Sequence, residues 1–305
     1  MVSGAAAGHT VPVVTVAVIG VGRVGLAVVR RMAAAGHAVR ACDVRAEVSA
    51  QLPAGAAFVR DPFAAVDGVE VVLTALPGSP ELRALLLTDG LLARLPAGSA
   101  WIDLTSTAPD LAAGLAEAAR GCAVSYLDAP VGGGPEAVRA GNATLYVGGD
   151  AAELDRWRPL LSAFAARIEH MGPTGTGVLT KLLINALWFG QALATGEALL
   201  LAKRAGLDTG RFAGALAGSA ADGNFVERYL PLLLAGDHAP SFGLDRCVEE
   251  LDSLERLAGS LGLAAEVTAL VARIHREALE RFGPVDGELL GVAHLADAAG
   301  TSLSE

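Results

Sequence analysis

The chain has 305 residues, 52% of them hydrophobic, enough for two domains and a sizeable core, and with aromatics at 5% the tight packing falls to small residues. A net charge of -10 argues against nucleic acid or an anionic membrane surface as partner, so an anionic ligand has to be captured by helix N-termini or single basic residues. The three cysteines, Cys42, Cys122 and Cys247, are far apart with no CxxC or His pairing at metal spacing, which predicts no metal site and a reducing, cytoplasmic location.

Residues 1–12 lack the basic and apolar regions of a signal peptide and read as a disordered tail. Residues 13–19, VVTVAVI, form a β-branched run, followed at once by Gly20-Val-Gly22-Arg23-Val24-Gly25 and the helical pattern LAVVRRMAAAG. A GxGxxG sequence between strand and helix is a dinucleotide fingerprint. The first glycine makes the turn, the second admits a pyrophosphate to the backbone, and the third lets helix pack on strand. The phosphates then sit at the positive end of the helix. A second strand, AVRACDV, ends near Asp43, 18 residues beyond Gly25, where a carboxylate accepts from the ribose hydroxyls. Asp43 favours NAD, while Arg45 could offset its repulsion of a 2'-phosphate, so the cofactor is NAD or NADP.

Two further strands, VEVVLTALPG and SAWIDLTST, are followed by the helical LAAGLAEAAR, the strand AVSYLDAPV, and finally ATLYVGG and RIEHMG. Alternating strand and helix predicts a parallel sheet with helices on both faces, binding ligands at the carboxyl ends of its strands. Leu76, Pro77, Thr105 and the run from Asp128 to Val131 lie at those ends. The glycines at 132–134 offer either a flexible loop or a backbone N–H cradle for an anionic or carbonyl substrate.

Residues 173–205 read as one long helix entered through Gly175 and Gly177. Between Leu182 and Ala202 it carries a single charge, Glu197, so it is expected to be buried on most sides, with a second subunit covering it in a homodimer or tetramer. Lys181 and Asn185 stand one helical turn apart in its apolar first half, and a buried lysine must face a polar cavity or a partner. Trp188 and Phe189 are expected to pack an interface. Beyond residue 206 only helical patterns remain, bounded by Gly, Asp or Pro.

In chain order the motifs GVGRVG, DLTSTAP, DAPVGGG and GTGVLTKLLIN resemble those of the β-hydroxyacid dehydrogenase family, which includes 3-hydroxyisobutyrate dehydrogenase and has the imine reductases as structural cousins. The resemblance spans residues 13 to about 298. It implies an α/β fold with an N-terminal Rossmann doubly wound sheet (13–172), a long interdomain helix (173–205) and an all-α substrate and dimerisation domain (206–305). It also implies hydride transfer between a nicotinamide and a small hydroxy acid or carbonyl substrate. By the same resemblance Lys181 is the general acid/base, Asn185 helps hold the substrate, and Val131, Gly132, Gly133 and Gly134 bind its carboxylate. Carbonyl reduction makes an alkoxide that an ammonium can stabilise and protonate, so the chemistry agrees with this role for the lysine.

This chain departs from the family pattern at two places. Gly132 stands where a serine is usual, and Glu249-Glu250 where a Lys-Asp pair is usual. Both changes work against a small acid and, if Glu249 lies in the site, toward a neutral or cationic substrate. The alternatives are an imine or ketone reductase and a non-catalytic dinucleotide sensor.

Overall fold

The computed structural model describes residues 13–303, and the tail read over 1–12 lies outside the described residues. The fingerprint region forms β1 (Thr15–Ile19) and α1 (Arg23–Ala34), followed by β2 (Ala38–Cys42), β3 (Ala56–Phe58), α2 (Pro62–Ala65) and β4 (Val71–Thr74). Next come α3 (Ser79–Arg83), β5 (Ala100–Asp103), α4 (Pro109–Gly121), β6 (Ser125–Asp128), β7 (Val131–Gly132) and α5 (Gly134–Ala140). The sheet closes with β8 (Ala143–Gly149), α6 (Ala151–Leu161) and β9 (Ala165–Gly172). Every strand read from the sequence is present; the short β3 and β7 and the helices α2, α3, α5 and α6 are additions.

The strand order is β3-β2-β1-β4-β5-β6-β8-β7, with β9 on β8. Pairing is parallel from β3 through β6, as the sequence predicts, but β8 runs antiparallel to both β6 and β7 before β9 joins it in parallel. The wholly parallel reading therefore fails at this end. Gly133 and Gly134, at φ 90 and 67, turn the chain after β7, and Gly141, at φ 73, turns it again after the short α5, so β8 returns against β6. The central strands are buried on both faces, and their residues divide with period two. Val16, Val18, Val71, Leu73 and Ile102 enter one core, while Ala17, Ile19, Val72 and Trp101 enter the core on the other face.

From the sheet the chain passes into α7 (Thr176–Arg204), then α8 (Thr209–Leu216), α9 (Asn224–Arg228), α10 (Leu230–Leu234), α11 (Leu244–Ser260), α12 (Glu266–Phe282) and α13 (Leu290–Ala298). Two compact units divide inside α7, between Lys181 and Leu182. Helix α7 is long and apolar enough to cross a membrane, yet Val178 belongs to a core of the sheet unit and Phe189, Leu193 and Leu199 to the core of the helical unit. Gly196 permits close packing, since a Cβ there would lie 2.3 Å from Val292 Cγ1.

Within one chain α7 is only partly covered: Leu183, Ile184, Leu187 and Leu201 are exposed, Leu187 by 75%. One expectation for α7 needs correction. Trp188 and Phe189 pack the helical unit's own interior: Phe189 is buried, and the Trp188 ring stands edge-on to Tyr229 at 4.9 Å. Their spacing on an apolar helix indicated burial but not which surface covers them.

Candidate active site

In the sheet unit two of the three fingerprint glycines are required by close backbone contacts. Gly20 turns the chain at φ 89, and a Cβ on it would lie 2.3 Å from the Ala75 carbonyl oxygen. Gly25 faces the Gly20 carbonyl oxygen, which a Cβ would approach to 1.8 Å. Gly22, by contrast, has nothing within 4 Å of its missing Cβ and no side chain capping α1 behind it. The backbone at Gly22 is thus uncrowded on the side a Cβ would take, which suits the close approach of a pyrophosphate to the start of α1. Exposed Arg23 and half-buried Val24 begin the helix.

Asp43 lies just past β2, with Oδ2 accepting from the Val21 N–H at 2.7 Å and Oδ1 from the Arg45 N–H at 2.9 Å. The Arg45 guanidinium binds the same carboxylate through Nε at 2.9 Å and Nη2 at 3.0 Å. Burial pushes the Asp43 carboxyl up, but the hydrogen bonds from Arg45 and Val21 outweigh it and hold the group below its ordinary range. From the sequence Asp43 and Arg45 pull toward different cofactors; in the structure they are partners.

At the neighbouring strand ends Leu76 is half-buried, Pro77 exposed and Thr105 buried. The Thr105 hydroxyl accepts from the Leu76 N–H at 3.1 Å, tying the loop after β5 to the loop after β4. Thr105 therefore holds Leu76 in place. Val131 points into the core, and Gly132 backs onto Tyr146, whose ring edge and hydroxyl lie 3.1 and 3.4 Å from where a Cβ would be. The tyrosine fills the room a serine side chain would take. Gly133 and Gly134 keep the left-handed backbone that starts α5.

Sequence reasoning placed Asp128 at the rim without a role and did not single out Asp103. They sit opposite each other in register at the ends of β5 and β6, both fully buried. Asp103 Oδ1 accepts from the Thr74 hydroxyl at 2.6 Å and the Thr105 N–H at 3.1 Å. Asp128 accepts from the Gly175 N–H at 2.8 Å and the Val178 N–H at 2.9 Å, capping α7 from another element. Burial is the main reason that both carboxyls are pushed up to about 6. A signal was available, since uninterrupted apolar strands ending in an aspartate leave that carboxylate needing buried donors.

Lys181 is half-buried near the start of α7. The chain holds 23 lysines and arginines, and only Lys181 and Lys203 are lysines. Lys203 lies at the far end of the helix, donating to the Ser302 carbonyl at 2.7 Å. In the helical unit Asn185 Nδ2 donates to Glu250 Oε2 at 2.7 Å, and Glu250 is buried. Glu249 accepts from Arg246 Nη1 at 2.9 Å, so its charge is offset by a neighbour on its own helix.

Comparison with known proteins fits this geometry. Residues 15–172 match the NAD binding domain of 6-phosphogluconate dehydrogenase, and residues 175–290 match the NAD-binding domain of NADP-dependent 3-hydroxyisobutyrate dehydrogenase. The chain is similar to the NAD-dependent L-serine dehydrogenase of Pseudomonas aeruginosa, 34% identical over 253 residues that cover 82% of this chain and 84% of that protein. Among solved structures it is similar to Mycobacterium tuberculosis 3-hydroxyisobutyrate dehydrogenase with L-serine, at TM-score 0.84 and 26% identity, covering 93% of this chain and 99% of that one. An imine reductase of Streptomyces aurantiacus, at TM-score 0.62 and 21% identity over 92% of this chain and 99% of that one, shares the fold alone. With its dinucleotide fingerprint intact, the chain is an NAD(P)-dependent oxidoreductase acting on CH–OH groups and belongs to the β-hydroxyacid dehydrogenase family.

Proposed function

We propose that the enzyme exchanges a hydride between NAD(P) and the hydroxyl-bearing carbon of a small 3-hydroxy acid, with Lys181 as general acid/base. The observation that carries this reading is the lysine itself: a chain that otherwise uses arginine almost throughout places a lysine on the half-buried first turns of α7. Arginine stays protonated, whereas an amine can both give and take a proton, so the choice of side chain matters here. Bound nicotinamide supplies or accepts the hydride. In reduction the Lys181 ammonium stabilises the developing alkoxide and gives its proton to that oxygen; in oxidation the neutral amine takes the hydroxyl proton.

Gly20, Gly22, Arg23, Val24 and Gly25 receive the pyrophosphate, supported by the open space at Gly22. Leu76 and Pro77, with Thr105 behind them, border the cofactor, and Asp43 takes the adenosine ribose, favouring NAD. Residues 131–134 receive the substrate carboxylate, and Asn185 helps hold the substrate. This assignment makes 13–172 the dinucleotide domain, 173–205 the connecting helix and 206–305 the substrate and dimerisation domain. The exposed apolar residues of α7 support a homodimer or a tetramer built from one. Cys42 and Cys247, buried free thiols, support a cytoplasmic location.

L-Serine and 3-hydroxyisobutyrate, the substrates that similar enzymes are named for, are the first to test. A substrate bearing an amine is the second reading, favoured by the buried Glu250 carboxylate on Asn185. Initial rates of NADH formation over a panel of 3-hydroxy acids with and without a 2-amino group separate the two. Turnover confined to simple alcohols that lack a carboxylate would contradict both.

A further inference from the structure

We infer that Asp128 is a positioning residue: its carboxylate, reaching from the end of β6, sets the starting point and rotational phase of the helix that carries Lys181. The inference rests on Lys181 being the proton-transfer group. Helix α7 begins at Thr176, and Gly175 before it has no side chain with which to cap the helix. Asp128 does the capping, with Oδ1 taking the Gly175 N–H and Oδ2 the Val178 N–H. A carboxylate there also meets the positive end of a 29-residue helix.

The fit around this carboxylate leaves little freedom. A Cβ on Gly148 would lie 2.5 and 2.8 Å from the two Asp128 oxygens, and a Cβ on Gly177 would lie 2.7 Å from Asp128 Oδ2 and 2.3 Å from the Tyr146 carbonyl oxygen. Two glycines are thus required so that the carboxylate can stand between β8 and the first turn of α7. Lys181 follows Val178 by three residues, less than one turn, so little helix intervenes to absorb an error. Shifting the start of a helix by one residue rotates every later side chain by about 100°. A displacement of about 1 Å at a reacting group can lower a rate about 100-fold.

An asparagine in place of Asp128 would keep the shape but have only one acceptor oxygen, so its NH2 must face one of the two N–H donors. The test uses the full chain carrying Asp128→Asn, with L-serine and 3-hydroxyisobutyrate as probes. We expect kcat to fall by about 100-fold, while KM and the NAD dissociation constant change less than about threefold, and the deuterium isotope effect on kcat to rise as hydride transfer becomes more rate-limiting. A purely structural role would reduce the amount of active enzyme and leave the isotope effect unchanged. A kcat within about threefold of the parent overturns the inference.

If Asp128→Asn fails to fold, the pH series of the unaltered enzyme decides. The titratable groups facing Asp128 are Asp103 on β5 and Tyr126 on its own strand. Protonating Asp128 weakens the cap, so kcat should drop with a midpoint near 6, and the drop should persist in Asp103→Asn. A kcat that stays flat through that range, or a drop that Asp103→Asn abolishes, overturns the inference. Full turnover by Lys181→Met would instead refute the proposed function itself, whatever Asp128→Asn does.

Discussion

Replacing Asp103 by asparagine should make the protein more stable at neutral pH. Asp103 is fully buried, and its carboxyl is pushed up to about 6 from 3.8, first by burial and in smaller part by Asp128 alongside, against hydrogen bonds from Thr74 and Thr105. A folded-state value above the unfolded one means that the group's stabilising contribution is full below the unfolded value and is lost as pH rises through the folded one. The shift corresponds to about 3 kcal/mol lost by pH 7.5, and about half of that by pH 5. Asparagine avoids the loss and keeps the geometry. Its oxygen can accept from the Thr74 hydroxyl and the Thr105 N–H, and its NH2 faces the Tyr126 hydroxyl oxygen, 3.5 Å from Asp103 Oδ2. Weakening two charge-assisted hydrogen bonds offsets part of the gain, leaving about 2 kcal/mol. Urea unfolding followed by far-UV circular dichroism at pH 7.5, 6 and 5 measures the difference. A variant no more stable than its parent at pH 7.5, or a gain that does not shrink toward pH 5, would refute the reasoning.

Two further changes probe the cofactor cradle. Gly25→Ala drives a Cβ to 1.8 Å from the Gly20 carbonyl oxygen; NAD affinity, measured by nicotinamide fluorescence, should fall at least about 100-fold and the melting temperature should drop, because overpacking at backbone costs about 1–3 kcal/mol or more. Arg45→Ala frees two lone-pair directions on Asp43. NAD should then bind about fivefold tighter and NADP more weakly, since a charge-assisted pair no longer has to be broken for the ribose hydroxyls. Equal changes for both cofactors would mean that the pair does not read the ribose.

The fold was legible where period and punctuation agree. β-branched runs ending in Gly20 or Asp43 predict strands that stop at those residues, and they do. The reversal at β8 was not legible, because a seven-residue ATLYVGG strand has the same composition whichever way it runs. Direction there depends on left-handed glycines at 133, 134 and 141, whose φ angles leave no mark in the sequence. Which residues of α7 its own chain leaves exposed was not legible, because the helix is apolar nearly all round. Lys181 and Asn185 stood out as polar residues in an apolar run. Asp128 at a strand end and Gly177 at the helix entry were noted, but their link to each other and to Gly148 was not, because it joins three elements across 50 residues of sequence, from Asp128 to Val178. Glu250 as the partner of Asn185 was out of reach for the same reason, 65 residues away.

Pre-steady-state hydride transfer in Lys181→Met, with NAD bound and a 3-hydroxy acid that the unaltered enzyme oxidises, tests proton transfer by Lys181 without interference from product release. The single-turnover rate of NADH formation should fall by about 100- to 10,000-fold while NAD affinity stays the same. A rate equal to that of the unaltered enzyme would contradict that role for the lysine.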